Sequence, residues 1–151
     1  MISLKLNGRP AEVDVPPDTS LLTVLWSDLD AVGPKFGCGR SQCGSCTVLI
    51  DGEPVKSCQT KVSAAAGREV TTLEGLLEDG QPNALQRAFI AEQAAQCGFC
   101  SSGMIMAAQA LLDRNPSPTE ADVRSALNGN LCRCGAHNRI VRAVLRAAQE
   151  G

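Results

Sequence analysis

Residues 37–58 read Gly37-Cys38-Gly39-Arg40-Ser41-Gln42-Cys43-Gly44-Ser45-Cys46-Thr47-Val48-Leu49-Ile50-Asp51-Gly52-Glu53-Pro54-Val55-Lys56-Ser57-Cys58. The cysteines are spaced C-x4-C-x2-C-x11-C. Three thiols lie on one short loop and a fourth arrives from a nearby turn, so the four together can enclose a small metal centre. Gly37, Gly39 and Gly44 sit beside the cysteines. Glycine permits positive φ and close backbone approach, which lets amide N–H groups turn toward the sulfurs. Such N–H···S contacts help to set a reduction potential.

This is the plant-type ferredoxin spacing for a [2Fe–2S] cluster, with Cys38, Cys43, Cys46 and Cys58 as the ligand set. The other four of the eight cysteines form a second set. Cys97 and Cys100 make a C-x2-C; Cys132 and Cys134 make a C-x-C after 31 intervening residues. Two complete sets of four favour two metal sites over scattered thiols.

The chain has 151 residues, enough for one ordinary domain or two small ones. Charge is nearly balanced, with 14 basic and 16 acidic residues. With no Tyr and a single Trp there is no aromatic and basic platform for nucleic acid. No apolar run is long enough to cross a bilayer. The start, Met1-Ile2-Ser3-Leu4-Lys5-Leu6-Asn7, alternates like a strand and lacks the features of a secretion signal. A cytoplasmic protein is the expectation, and in a reducing compartment eight cysteines read as ligands before disulfides.

Ile2, Leu4 and Leu6, then Val13 and Val15, alternate with polar residues around Asn7-Gly8, a hairpin signal. Thr19 or Ser20 caps a helix with Leu21, Leu22, Leu25, Trp26 and Leu29 as its buried stripe. Thr47–Ile50 reads as a strand, Asp51-Gly52 as a turn, and Val55 as part of a return strand. Val70-Thr71-Thr72 is the last strand. Two hairpins and a helix predict a β-grasp-like module over residues 1–76.

After Gly75 the composition shifts to Ala, Gln and Leu, and residues 77–151 predict a second, helical domain. Helices are expected over 83–95, from Ser101 or Ser102, after a Thr119 cap, and over 138–149. Leu85, Ala88 and Phe89, then Met104, Ile105, Ala108, Leu111 and Leu112, face inward, as do Val123, Leu127, Ile140, Val141, Val144 and Leu145. Both cysteine pairs of this half precede helices, where free N–H groups and the dipole favour thiolates.

Zinc is the alternative metal for each set. C-x4-C-x2-C is not a usual zinc spacing, whereas the second set alone suits zinc or a two-iron core. A thioredoxin-type pair at Cys97 and Cys100 expects a preceding strand, and a helical stretch stands there instead. A Rieske centre needs two histidines, and His137 is alone; it reads as a capping or packing residue. Arg139, Arg142 and Arg146 share one helix face, read as solvated or as a docking patch. There is no G-x-G-x-x-G, G-x-x-x-x-G-K-[ST] or G-x-S-x-G. The chain reads as an electron conduit.

Lys35-Phe36-Gly37-Cys38-Gly39 with Gln42-Cys43-Gly44-Ser45-Cys46-Thr47-Val48 resembles the N-terminal iron–sulfur domain of the xanthine oxidase (molybdenum hydroxylase) family. Gln96-Cys97-Gly98-Phe99-Cys100 with Gly103-Met104, and Gly129-Asn130-Leu131-Cys132-Arg133-Cys134, resemble that family's helical iron–sulfur domain. The resemblance implies an α+β chain: a β-grasp ferredoxin-like domain, then a four-helix bundle, each with one [2Fe–2S] cluster. It implies a large partner subunit holding a molybdopterin cofactor, as the cytosine dinucleotide, with Gln96 reaching its pterin. Electrons would pass to the cluster of Cys97, Cys100, Cys132 and Cys134, then to that of Cys38, Cys43, Cys46 and Cys58. From there they would go to an FAD subunit or a cytochrome c. Ser101-Ser102 departs from the commoner Thr-Pro. Cys134-Gly135-Ala136-His137 departs from Cys-Thr-Gly-Tyr, a variant that resembles small subunits of the isoquinoline 1-oxidoreductase, nicotinate dehydrogenase and aldehyde dehydrogenase type. The implied role is electron transfer for oxidation of an aldehyde or N-heterocycle. A free-standing ferredoxin-like carrier and a zinc-stabilised interaction module are the alternatives.

Overall fold

The structure, a computed structural model, describes residues 1–151. Strands β1 (Ile2–Leu6) and β2 (Arg9–Val13) form a hairpin closed by Asn7 and Gly8, both at positive φ (51° and 82°). That is the backbone a tight two-residue hairpin turn requires, and it explains why Asn-Gly stands there. Asp51 and Gly52 repeat the device (49° and 82°) between β3 (Thr47–Ile50) and β4 (Glu53–Lys56). With β5 (Glu69–Thr71) these make a five-stranded sheet of order β2-β1-β5-β3-β4. Only the β1–β5 pair is parallel.

Helix α1 (Leu21–Ser27) starts at Ser20, whose hydroxyl accepts the Thr23 N–H. It covers one face of the sheet. Leu21, Val24 and Leu25 pack with Leu4, Val13, Val48, Ile50, Val62 and Val70. The expected stripe needs correction at its end. Trp26 is 38% exposed and Leu29 only partly buried, while Val24 takes an inward place. The indole sits where it does as a donor, since Nε1 bonds the Pro34 carbonyl at 2.8 Å. It thereby ties the helix to the entrance of the cysteine loop.

The second half holds α2 (Ala84–Ala91), α3 (Ser101–Arg114), α4 (Glu120–Ala126) and α5 (His137–Glu150). Asn83 with Gln86, and Thr119 with Asp122, form reciprocal capping boxes. Helix α3 is apolar almost all round, as a central helix must be: Ser102 to Ala108, Ala110 and Leu111 are buried. Leu112 and Leu145 lie at the edge of this core. His137 opens α5 and is exposed; it caps nothing. Arg142 and Arg146 do not simply face water, because both reach Glu92 beyond the end of α2.

Strand β3 links the two halves. All four of its residues are buried. Alternation along a strand sends Val48 and Ile50 into the α1 core, while Leu49 joins the helical core. Helix α3 lies against that second face. The chain is thus α+β, with two apolar cores on opposite sides of one strand.

Two substitutions separate these roles. Leu25→Ala empties a fully buried site and is expected to cost about 3 kcal/mol by urea denaturation. Trp26→Phe should cost only about 1 kcal/mol, the indole's hydrogen bond.

Candidate metal centres

The first cysteine set is built by the loop between α1 and β3. Its backbone curls around sulfur. Cys38 Sγ accepts N–H bonds from Arg40 (3.3 Å), Cys43 (3.3 Å) and Gln42 (3.2 Å). Cys43 Sγ accepts from the Cys38 N–H at 3.4 Å and lies 3.2 Å from Ser45 Oγ. Ser41 (φ 61°), Gly39 (φ 67°) and Gly44 (φ 79°) supply the left-handed backbone that turns those amides inward. The hydrogen bonds from Arg40, Cys43 and Gln42 pull the Cys38 thiol down to about 6. Burial pushes the Cys46 thiol up to about 11, with the Cys58 thiol beside it. Cys58 arrives just after β4, held there by Ser57, which donates to the Cys46 carbonyl at 2.6 Å.

The second set joins two loops. Cys97 is exposed, and Cys100 is the residue from which α3 starts. Cys132 and Cys134 lie in the loop before α5. Cys100 and Cys132 are in side-chain contact, with Cys97 close by. The helix N-terminus does not dominate at Cys100, contrary to expectation: burial pushes its thiol up to about 12. At Cys132 burial works the same way, but the N–H groups of Ala136, Cys134 and Gly135 and the contact with Cys100 win, and the thiol lies below its usual value.

Six of the eight thiols therefore meet in pairs, Cys38 with Cys43, Cys46 with Cys58, Cys100 with Cys132, and Cys97 lies near Cys100. Nowhere do three potential ligands converge on a single-ion position. Sulfurs that already collect backbone N–H groups, and that meet two by two, fit a two-iron core with two thiolates per iron. Gln96 is exposed in the loop between α2 and α3, next to Cys97.

The two sets are neighbours. A cavity of about 460 Å³ is lined by Cys38 and Cys43 from one and by Cys97, Cys100 and Cys132 from the other. Sequence reading missed the groups that join them. Leu131 donates its N–H to the Cys43 carbonyl at 2.8 Å, and Asn130 Nδ2 donates to the Gly44 carbonyl at 3.1 Å. The signal was present in Gly129-Asn130-Leu131 ahead of Cys132, but spacing alone gives no reason to single out an asparagine.

Residues 4–77 match the family described as a 2Fe-2S iron-sulfur cluster binding domain, and residues 72–145 match a [2Fe-2S] binding domain. The chain is 56% identical over 148 residues to one of the subunits of nicotinate dehydrogenase from Pseudomonas putida, covering 98% of this chain and 94% of the relative. It is 51% identical over 151 residues to the alpha subunit of isoquinoline 1-oxidoreductase from Brevundimonas diminuta, covering 99% of each. The chain belongs to the small [2Fe–2S] subunits of the xanthine oxidase family of molybdenum hydroxylases. Its structure superposes on a chain of quinoline 2-oxidoreductase from Pseudomonas putida 86 with a TM-score of 0.91 at 41% identity, covering 99% of this chain and 96% of that one. It is accordingly an electron-transfer subunit of an oxidoreductase complex. No helix is long and apolar enough to cross a membrane.

The contrast in thiol environment has a direct readout in the cluster-free chain. Alkylation with iodoacetamide at pH 7.5 should label Cys38 first, because its lowered pKa makes it largely thiolate there. Cys46 and Cys100, raised well above that pH, should label last. Peptide mass spectrometry checks the order.

Proposed function

We propose that this subunit carries electrons out of a hydroxylase that oxidises an N-heterocyclic aromatic compound. Nicotinate, isoquinoline and quinoline are the compounds in the names of the three relatives above, which favours this class over aldehydes. The ligand assignment is Cys38, Cys43, Cys46 and Cys58 for one cluster, and Cys97, Cys100, Cys132 and Cys134 for the other. The pairing of six of these sulfurs is the observation that carries it, and Cys97 and Cys134 are added by their spacing from Cys100 and Cys132. The clusters supply reversible one-electron storage; the protein supplies their spacing and surroundings.

The parallel β1–β5 pair inside the order β2-β1-β5-β3-β4 supports a β-grasp for residues 1–76. Three helices packed with α3 in one core support a four-helix bundle for 77–151. The exposure of Gln96 beside Cys97 supports its role as the residue that meets the pterin of a molybdopterin cytosine dinucleotide held by the partner. The outside acceptor is a cytochrome c or an FAD subunit.

Hydrogen bonding supports the order in which the two sites act. Donors aimed at sulfur favour the more negative, reduced state. Cys38 collects three backbone N–H bonds of 3.2–3.3 Å, whereas at Cys132 only the Ala136 N–H makes a well-formed bond, at 3.5 Å. The ferredoxin-type site is thus the better terminus, and the helical site comes first, nearer Gln96.

The assembled complex should contain two irons and two acid-labile sulfides per cluster. Cys43→Ser should remove or alter the ferredoxin-type electron paramagnetic resonance signal and spare the other, and Cys132→Ser should do the reverse. In the Cys43→Ser complex, substrate should still reduce the helical site while turnover with the acceptor collapses. Undiminished turnover with the ferredoxin-type signal shown to be gone would refute the order.

A further inference from the structure

The loops that carry Cys43 and Cys132 are joined more closely than two adjacent domains require. Leu131, the residue before Cys132, donates its N–H to the carbonyl of Cys43 itself, at 2.8 Å. Asn130, only 6% exposed, donates through Nδ2 to the Gly44 carbonyl at 3.1 Å and lies 3.5 Å from Thr47 Oγ1. Lys56 Nζ donates to the Gly129 carbonyl at the exposed rim. The fit leaves no slack. A Cβ on Gly44 would lie 2.4 Å from Asn130 Nδ2 and 2.6 Å from the Gly129 oxygen.

Between Cys43 Sγ and Cys132 Sγ there is consequently a path of covalent bonds interrupted by a single hydrogen bond, Cys43 C=O to Leu131 N–H. Electron tunnelling weakens steeply with distance, and it is better supported by bonds and hydrogen bonds than by open space. Exchange between the sites oxidises one by one electron and reduces the other by one, with no bond made or broken. Its rate therefore depends on how firmly the two loops are held together.

We propose that Asn130 is a positioning residue for electron exchange between the two centres. By clamping Gly44 it sets their separation and keeps the Cys43–Leu131 hydrogen bond closed. This rests on the assignment of the two cysteine sets as cluster ligands. The hydrogen bonds of the Asn130 side chain go to Gly44 and Thr47, not to a cysteine sulfur, and Gly44 O keeps two other donors, the Thr47 N–H (3.1 Å) and Thr47 Oγ1 (2.7 Å). Removing the amide therefore loosens the seam without stranding a buried carbonyl.

The test uses the assembled complex with Asn130→Ala, and with Asn130→Asp, which keeps the shape and loses the donor. Both cluster signals should persist with unchanged individual line positions. The magnetic splitting between the two reduced clusters should shrink or broaden. In rapid mixing with substrate, reduction of the helical site should keep its rate, and electron arrival at the ferredoxin-type site should slow about tenfold. Hydrogen exchange should quicken at peptides covering 42–47 and 129–133. Unchanged splitting and unchanged arrival with both clusters in place would overturn the proposal. If Asn130→Ala loses a cluster, Lys56→Met, confined to the rim, is read on the same signals; a smaller effect in the same direction supports the proposal, and none overturns it. Failure of the ligand assignment would look different, since the unsubstituted complex would then lack two [2Fe–2S] signals.

Discussion

Everything in this molecule hangs on the contact of Gly103 with the backbone of Gly44 and Ser45. A Cβ at Gly103 would stand 2.0 Å from the Gly44 carbonyl oxygen and 3.1 Å from Ser45 Cα. Backbone cannot yield by that much, so any other residue would lift α3 off the cysteine loop. That approach lets α3 lie flat on β3, and it is why β3 is buried on both faces. Leu49 can join the helical core only because α3 is there to receive it. The same approach places Cys100, at the start of α3, beside the loop of Cys38 and Cys43. Packing and the juxtaposition of the two thiol sets are one constraint.

The two sites solve the problem of holding sulfur differently. The first is a loop site, where successive left-handed residues turn amides onto Cys38. The second is a junction between the start of α3 and the loop before α5, and burial dominates at Cys100. Each site nevertheless holds one thiol that burial pushes up, Cys46 in the first and Cys100 in the second. Each also holds one that backbone N–H groups keep toward thiolate, Cys38 in the first and Cys132 in the second.

Much of this is legible in the residues. Asn7-Gly8 and Asp51-Gly52 announce both hairpins, and Ser20 and Thr119 announce helix starts, because turn and cap chemistry is local. The cysteine spacing announces two sets of four for the same reason. Trp26 escapes such a reading because hydrophobic periodicity says nothing of the indole N–H, which here decides where the ring goes. Arg142 and Arg146 read as a solvated face since Glu92, their partner, is distant in sequence. The burial of both faces of β3 is hidden too. A four-residue strand with one polar member, Thr47, reads as half-buried, and only α3 makes it otherwise. Thr47 tolerates that place because its hydroxyl bonds the Gly44 carbonyl.

Asn130 shows why a site is harder to read than a fold. Its value lies in a hydrogen bond spanning 86 positions, to a carbonyl whose direction depends on the positive φ of Gly44. No local pattern encodes that. The exposed apolar residues follow the same logic. Phe99 and Leu131, each about half exposed, would be anomalies on an isolated surface, yet both line the cavity between the thiol sets. Phe36, also exposed, lies against Gly39 in the Cys38 loop. Apolar side chains around sulfur exclude water and lower the local dielectric, which strengthens each N–H···S contact. Phe99 and Leu131 thus stand with Arg133 around the space between the two thiol sets.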